Sequence, residues 1–336
     1  MTTSIKSDCF KSQRDWFKSV PNKSGINEQL SDSTTSVIRK GVTAFQLDDH
    51  ELHPEGIAFS HKHNCFFVSS VRKGIILKID STGSPSLFAQ PEPRQSIMGL
   101  QSDDKNGVLW ACAVSAPHLQ HNAKPEPAAL LKIDQVTGTV IKRYESPNTN
   151  HWLGDLTIAS NGEVFVSNSS PNYPSVYYLD QHNETLRILF ESTDLISVQG
   201  LALNRDETRL FISDYGKGLY VYDFSSGKII QLVNKTTYQM KGIDGLYFYN
   251  DHLLAIQNGI KPFAIIQLSL DKNEAHIVSF EYLEMGLPEM NEPTLGVCKE
   301  SNFYYIANSP WNAYSKENEL LAAKIKNPII RKINLQ

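Results

Sequence analysis

The apolar and polar positions along the chain fall into a unit that recurs six times. Each unit opens with a short apolar segment headed by a glycine: Glu55-Gly56-Ile57, Met98-Gly99-Leu100, Gln199-Gly200-Leu201 and Asp244-Gly245-Leu246. Gly154-Asp155-Leu156 and Pro293-Thr294-Leu295 fill the gaps, so the heads recur every 43 to 57 residues or so, the period of propeller blades. A turn follows each head, for example Asn161-Gly162 or Asn250-Asp251. Next comes a buried-looking run that ends in small or polar residues: FFVSS, VLWACA, EVFVSNS, RLFISDY, HLLAIQN, FYYIANS. A third run (GIILKID, ALLKID, SVYYLD, GLYVYD, FAIIQLSLD, LLAAKIK) and a fourth (SLFAQ, TVIKRY, RILFE, KIIQLV, HIVSFEYLE, IIRKINL) complete the unit. Short alternating runs with turn residues between them predict antiparallel sheet. Six repeats of about four strands predict an all-β six-bladed β-propeller, in which radial repetition leaves only short edges. The run Val42–Leu47 precedes the first unit and is extra. It is expected to pair with the last blade and close the ring, with IIRKINL the competitor for that place.

Residues 1–40 are rich in Ser, Lys, Asn and Thr and read as a polar tail or surface wrap; residues 41–336 form the propeller domain. The tail has no apolar core of a signal peptide, so a cytoplasmic protein or a mature exported form is expected. No apolar run approaches the roughly 18 residues of a membrane span. A net charge of −4 argues against nucleic acid as a partner, because phosphate binding needs a basic face. The expected partner is a small molecule, and the expected state a monomer. The four cysteines, Cys9, Cys65, Cys112 and Cys298, form no CxxC pair. Cys65 and Cys112 lie in apolar runs and read as inert core thiols.

In a propeller the first strand of each blade lines the central channel, so equivalent heads converge at one mouth. Around the ring they read Glu55, Met98, Asp155, Gln199, Asp244 and Thr294. Three carboxylates in one small cavity repel one another unless a cation or protons compensate. Calcium takes mixed carboxylate and amide oxygen sets, and the absence of His and Cys among the heads argues against zinc or copper. The expected metal ligands are therefore Glu55, Asp155, Gln199 and Asp244. Of the residues that end the second runs, Asn258 is expected at the pocket because it follows the Asp244 strand. Ser69, Asn168, Asp214 and Asn308 are expected to satisfy turn backbones. His118, His121 and His151 read as surface histidines near the mouth, and Ser115–Pro127 as a solvated insertion. No GxSxG elbow is present to support a serine nucleophile.

HPEGIAFS (His53–Ser60), LGDLTIASNGEVFVSNS (Leu153–Ser169), QGLALNRDETRLFISD (Gln199–Asp214) and IDGLYF (Ile243–Phe248) resemble the senescence marker protein / gluconolactonase / luciferin-regenerating enzyme family. EPTLGVCKESNFYYIANSPW is similar to the last blade of bacterial members. The resemblance implies a divalent cation, usually calcium, in the channel. It puts the family's metal-binding glutamate at Glu55, its blade-four asparagine at Gln199, and its ligand and general base at Asp244. The family's Asn-Asp pair falls at Gly154-Asp155, and its substrate-binding arginine at Trp152, which makes that wall flatter and more apolar. Met98 stands where the related paraoxonases have a histidine. The resemblance thus implies metal-dependent hydrolysis of a lactone or related ester, with Asp244 catalytic and Met98, Trp152, Asn258 and Thr294 around the substrate. The alternative is a non-catalytic propeller that binds a ligand or protein and keeps a structural channel ion. A lyase or condensing enzyme of the strictosidine synthase type is a third reading.

Overall fold

The computed structural model describes residues 36–120, 125–147, 151–170, 172–180, 184–315 and 317–336. Most of the tail, Cys9 and His121 lie outside the described residues. Six antiparallel sheets of four principal strands are arranged as a six-bladed β-propeller. Blade one runs Pro54–Ser60, Cys65–Ser70, Ile76–Ile79, Pro85–Ala89, and blades two to five repeat that simple up-and-down order. No α-helix occurs among the described residues; two short 3-10 turns, Trp311–Ala313 and Ala322–Lys324, lie in the last blade.

The inner strands open at Pro54, Ser96, Leu153, Val198, Ile243 and Gly296. In five of them the pairing register shifts within the head: Pro54/Ile57, Ile97/Leu100, Leu153/Leu156, Val198/Leu201 and Ile243/Leu246. A bulge of this kind re-aims neighbouring side chains, and here it recurs wherever the head triplet recurs. The blades pack face to face through apolar clusters. Ile57, Phe66 and Val68 of blade one, for example, meet Ile306 and Ile330 of blade six. Cys65 and Cys112 are buried free thiols within these interfaces.

Ring closure follows the N-terminal route. Val42–Gln46 pairs antiparallel with Ile329–Asn334 as the outermost strand of blade six. The sequence expectation for that blade needs correction: LLAAKIK is not its third strand. IIRKIN takes that place, and a 22-residue connection between Ile306 and Ile329 carries both 3-10 turns. The fourth strand is supplied from the other end of the chain, so nothing local in blade six announces it. Just upstream, Ile38–Arg39 pairs with the outer strand of blade five, His276–Met285. The step from blade five to blade six is pinned by a buried ion pair, Arg331 with Glu284 at 2.6 Å. Around it, Gly41 donates its N–H to Glu284 at 2.8 Å and accepts from Arg331 at 2.8 Å, and the Tyr305 hydroxyl also reaches Glu284. Every lone pair of the buried carboxylate is thereby used, the condition under which such a pair is tolerated.

Candidate functional site at the channel mouth

The heads form a closed circle. A Cβ placed on Gly56 would collide with the carbonyl of Met98, one on Gly99 would stand 2.7 Å from the carbonyl of Gly154, and one on Gly200 2.6 Å from that of Asp244. On Gly245 it would stand 3.2 Å from the Thr294 carbonyl, and the Thr294 hydroxyl donates to the Glu55 carbonyl at 3.0 Å. Ser69 and Ser213, on second strands, tie the circle together. Each takes the N–H of its own blade's glycine, Gly56 or Gly200, and bonds to the carbonyl of the next blade's head, Met98 or Asp244. Cys112 occupies the same place in blade two, with Sγ 4.0 Å from the Asp155 carbonyl.

Glu55 and Asp244 share the mouth. Glu55 is buried, and its Oε2 accepts from the Trp311 indole N–H at 2.8 Å. Asp244 Oδ2 accepts from the Asn258 amide at 2.6 Å. The same amide donates to the Pro293 carbonyl at 2.9 Å, and its oxygen accepts from the Tyr215 hydroxyl at 2.9 Å. Glu55 Oε1 and Asp244 Oδ1 have no hydrogen-bond partner among the described residues. Burial raises the Glu55 pKa well above the carboxylate range, and the charges of Asp244 and Glu292 raise it further. Burial likewise raises Asp244, against the hydrogen bond from Asn258. Gln199 donates to the Ser197 hydroxyl at 2.8 Å, while its Oε1 lies 3.6 Å from where a Cβ of Gly154 would be. Its long arm thus fills the gap beside the residue that has no side chain.

Asp155 lies within reach of the charges of Glu55 and Asp244 but takes a different place in the repeat. Register aligns Gly154, not Asp155, with Glu55 and Asp244, because Leu153 and Leu156 pair as Pro54 and Ile57 do. Asp155 therefore takes the position of the head glycine beyond the bulge and lines a cavity of about 400 Å³ below the heads, which Glu55, Gln199 and Asp244 do not line. Met98 is buried in an apolar cluster between blades, with Trp152 and Trp311 packed against that cluster. Thr294 is fully buried and spends its hydroxyl on Glu55. Of the four expected pocket residues, Asn258 contacts Asp244 and Trp152 is half-exposed.

The remaining second-strand ends hold backbone, as expected. Asn168 accepts from Trp152 N–H, Asp214 from Ile196, Ser197, Gly216 and Lys217, and Asn308 from Ile329. The histidines do not fit a surface reading. His151 is buried with Nδ1 2.6 Å from the Tyr177 hydroxyl. His118 is half-buried, with its ring edge-on to Trp311 at 5.1 Å and to Tyr314 at 4.5 Å. Blade six's long connection and the loop after Val114 thus meet over blade one, where Tyr314 also bonds His53 at 2.7 Å. Two mouth residues escaped the sequence reading. Trp311 lies in that connection, outside any repeat. Glu292 lies two residues ahead of its head at φ +58; burial and Asp244 lift its pKa to about 7, against Lys261. Glu292 and Trp311 open and close the stretch EPTLGVCKESNFYYIANSPW, but no repeat position marks either one.

A divalent cation can be tested against this donor set. No three His, Cys, Asp or Glu side chains among the described residues are gathered as a metal cluster. Glu55 and Asp244 are two carboxylates, however, and Gln199 offers an amide oxygen. Such an all-oxygen set with unpartnered carboxylate oxygens fits a hard cation and not zinc.

The molecule is a six-bladed β-propeller with an acidic channel mouth. No protein-family model and no curated protein matches the chain. Solved structures do share the fold. A luciferin-regenerating enzyme is 14% identical over 88% of this chain and 96% of its own, with a TM-score of 0.62. A calcium-binding protein, regucalcin from Agrobacterium tumefaciens, is 12% identical over 89% and 95%, TM-score 0.61. A gluconolactonase from Xanthomonas campestris is 12% identical over 91% and 99%, TM-score 0.58. The structural neighbours thus include the propellers whose family the sequence motifs resemble, and at these identities the likeness is one of fold.

Proposed function

We propose that the chain is a hydrolase of a lactone or related small ester, working at the channel mouth with a divalent cation of the calcium type. The observation that carries this reading is the Glu55–Asp244 pair. Each carboxylate has one oxygen held by a neutral donor and one left for a ligand. The gluconolactonase and calcium-binding neighbours support it. Glu55, Gln199 and Asp244 would hold the cation, which when bound would polarise an ester carbonyl; Asp155 is outside this set.

Asp244 is fixed by the Tyr215–Asn258 chain, so its carboxylate stays aimed at the mouth, where it would act as base beside the cation. It takes a proton from the attacking water as the new carbon–oxygen bond forms. The ring carbon–oxygen bond then breaks, and the proton passes to the departing alkoxide. Trp311 holds Glu55 in place, and Trp152 with Trp311 gives the mouth an apolar wall. The test is a panel of lactones and esters assayed with added calcium and with a chelator. Turnover that needs the metal and disappears in Asp244→Asn supports the reading. Metal-dependent thermal stability with no turnover on any substrate would favour a binding propeller with a structural ion.

A further inference from the structure

The cavity below the heads has its own chemistry. It holds about 400 Å³, within the range of small-ligand sites. Leu100, Leu156, Leu201 and Leu246 stand around it one residue past the heads' glycine position. Three of its lining residues are carboxylates, Asp104, Asp155 and Glu207, and none is Lys or Arg. Two of these acids are already engaged. Asp104 accepts from the Ser60 and Ser102 hydroxyls, the Gln135 amide and the His61 and Lys62 N–H groups. Glu207 accepts from the N–H and hydroxyl of Ser160. Asp155, at the inner end, is only 7% exposed. Backbone N–H groups of Leu156 and Leu201 lower its pKa against burial, and it has no side-chain hydrogen-bond partner among the described residues.

We propose that this cavity is a second binding site, distinct from the mouth, for a small organic monocation: an ammonium seated on the Asp155 carboxylate, with a short apolar body against the leucine ring. The position itself points this way. Blades one, two, four and five carry glycine there, so blade three alone places a charge inside an apolar wall. A buried carboxylate without a counter-charge is costly, and burial lifts this one to about 7, aided by Asp244. A cation that enters restores the charge balance, while an anion meets three carboxylates and no cationic side chain. The site does not depend on the proposed hydrolysis, since none of the mouth ligands lines it.

The test is calorimetric titration of n-butylammonium at pH 8, with n-butanol as the neutral comparison, into the wild type and three variants. Loss of the charge-assisted contact predicts at least tenfold weaker binding of butanol, and a loss of similar size in Asp155→Asn. Gln101→Trp narrows the cavity wall while leaving Asp155 in place, and is expected to weaken binding as well. Glu55→Gln, at the mouth, is expected to bind the amine within about twofold of wild type. Equal binding by wild type and Asp155→Asn would overturn the proposal. So would a loss confined to Glu55→Gln, which would put the amine at the mouth, or Asp155-dependent displacement of the amine by calcium chloride, which would make this an inorganic-cation site.

Discussion

The two registers of the head circle are one residue apart in sequence and differ in what their acids touch. Above it, Glu55 is buried and Asp244 half-buried, each with one oxygen held, by Trp311 and Asn258 respectively. Below it, Asp155 stands alone among leucines, with only backbone donors. What separates them is the bulge. There Asp155 takes the register of the glycines Gly56 and Gly245, whereas Asp244 takes that of Glu55, and of the three acids only Asp155 lines the cavity. A repeat that looks merely imperfect in sequence thus places its acids at two different registers.

The comparison can be broken most severely at Asp244. Asp244→Asn keeps the shape and the Asn258 contact but removes the base, so turnover on any lactone found to be a substrate is expected to fall roughly 10³-fold. The melting temperature should hold or rise, because a buried charge is removed. Equal turnover in the variant would locate the base elsewhere. Next in size is the circle itself. Gly200→Ala puts a methyl against the Asp244 carbonyl, and overpacking there is expected to cost about 2–3 kcal/mol in denaturant unfolding, with a loss of turnover as Asp244 shifts. Unchanged stability would mean that the heads are not in tight register.

Asp155→Asn sharpens the contrast from the other side. The native Asp155 titrates near 7, against 3.8 for an ordinary Asp. The folded state therefore binds more protons between about pH 4 and 7, and wild-type stability falls as pH rises through that window. The variant lacks that slope. It should match the wild type near pH 4 and exceed it by roughly 4 kcal/mol at pH 8, with turnover within a few-fold of normal. Parallel stability profiles for the two proteins would contradict the burial argument. The smallest effect is expected at Trp311→Phe. Losing the indole donor frees Glu55, and calcium affinity should fall about tenfold with little change in melting temperature.

Much of the fold was legible because its signals are local. The Gly-headed runs and the turns at Asn161-Gly162 or Asn250-Asp251 recur in order, and six copies are enough to fix the architecture. Blade six was misread where its strands come from distant parts of the chain: Val42–Gln46 completes a sheet whose third strand begins at Ile329. At Glu55, Gln199 and Asp244 the head keeps the residue-glycine order, which is what made these positions readable as candidates. At Gly154-Asp155 that order is inverted, so the carboxylate stands at the register of the other heads' glycines and lines the cavity. Glu292 and Trp311 belong to no repeat and are brought in by irregular backbone, so periodicity had nothing to say of them.

The most direct measurement is calcium calorimetry on wild type, Asp244→Asn and Asp155→Asn at pH 8. The account predicts that calcium binds the wild type, is lost in Asp244→Asn, and is retained within a few-fold in Asp155→Asn, because only the former lies at the mouth. Calcium binding that survives Asp244→Asn but disappears in Asp155→Asn would contradict it and move the cation below the heads.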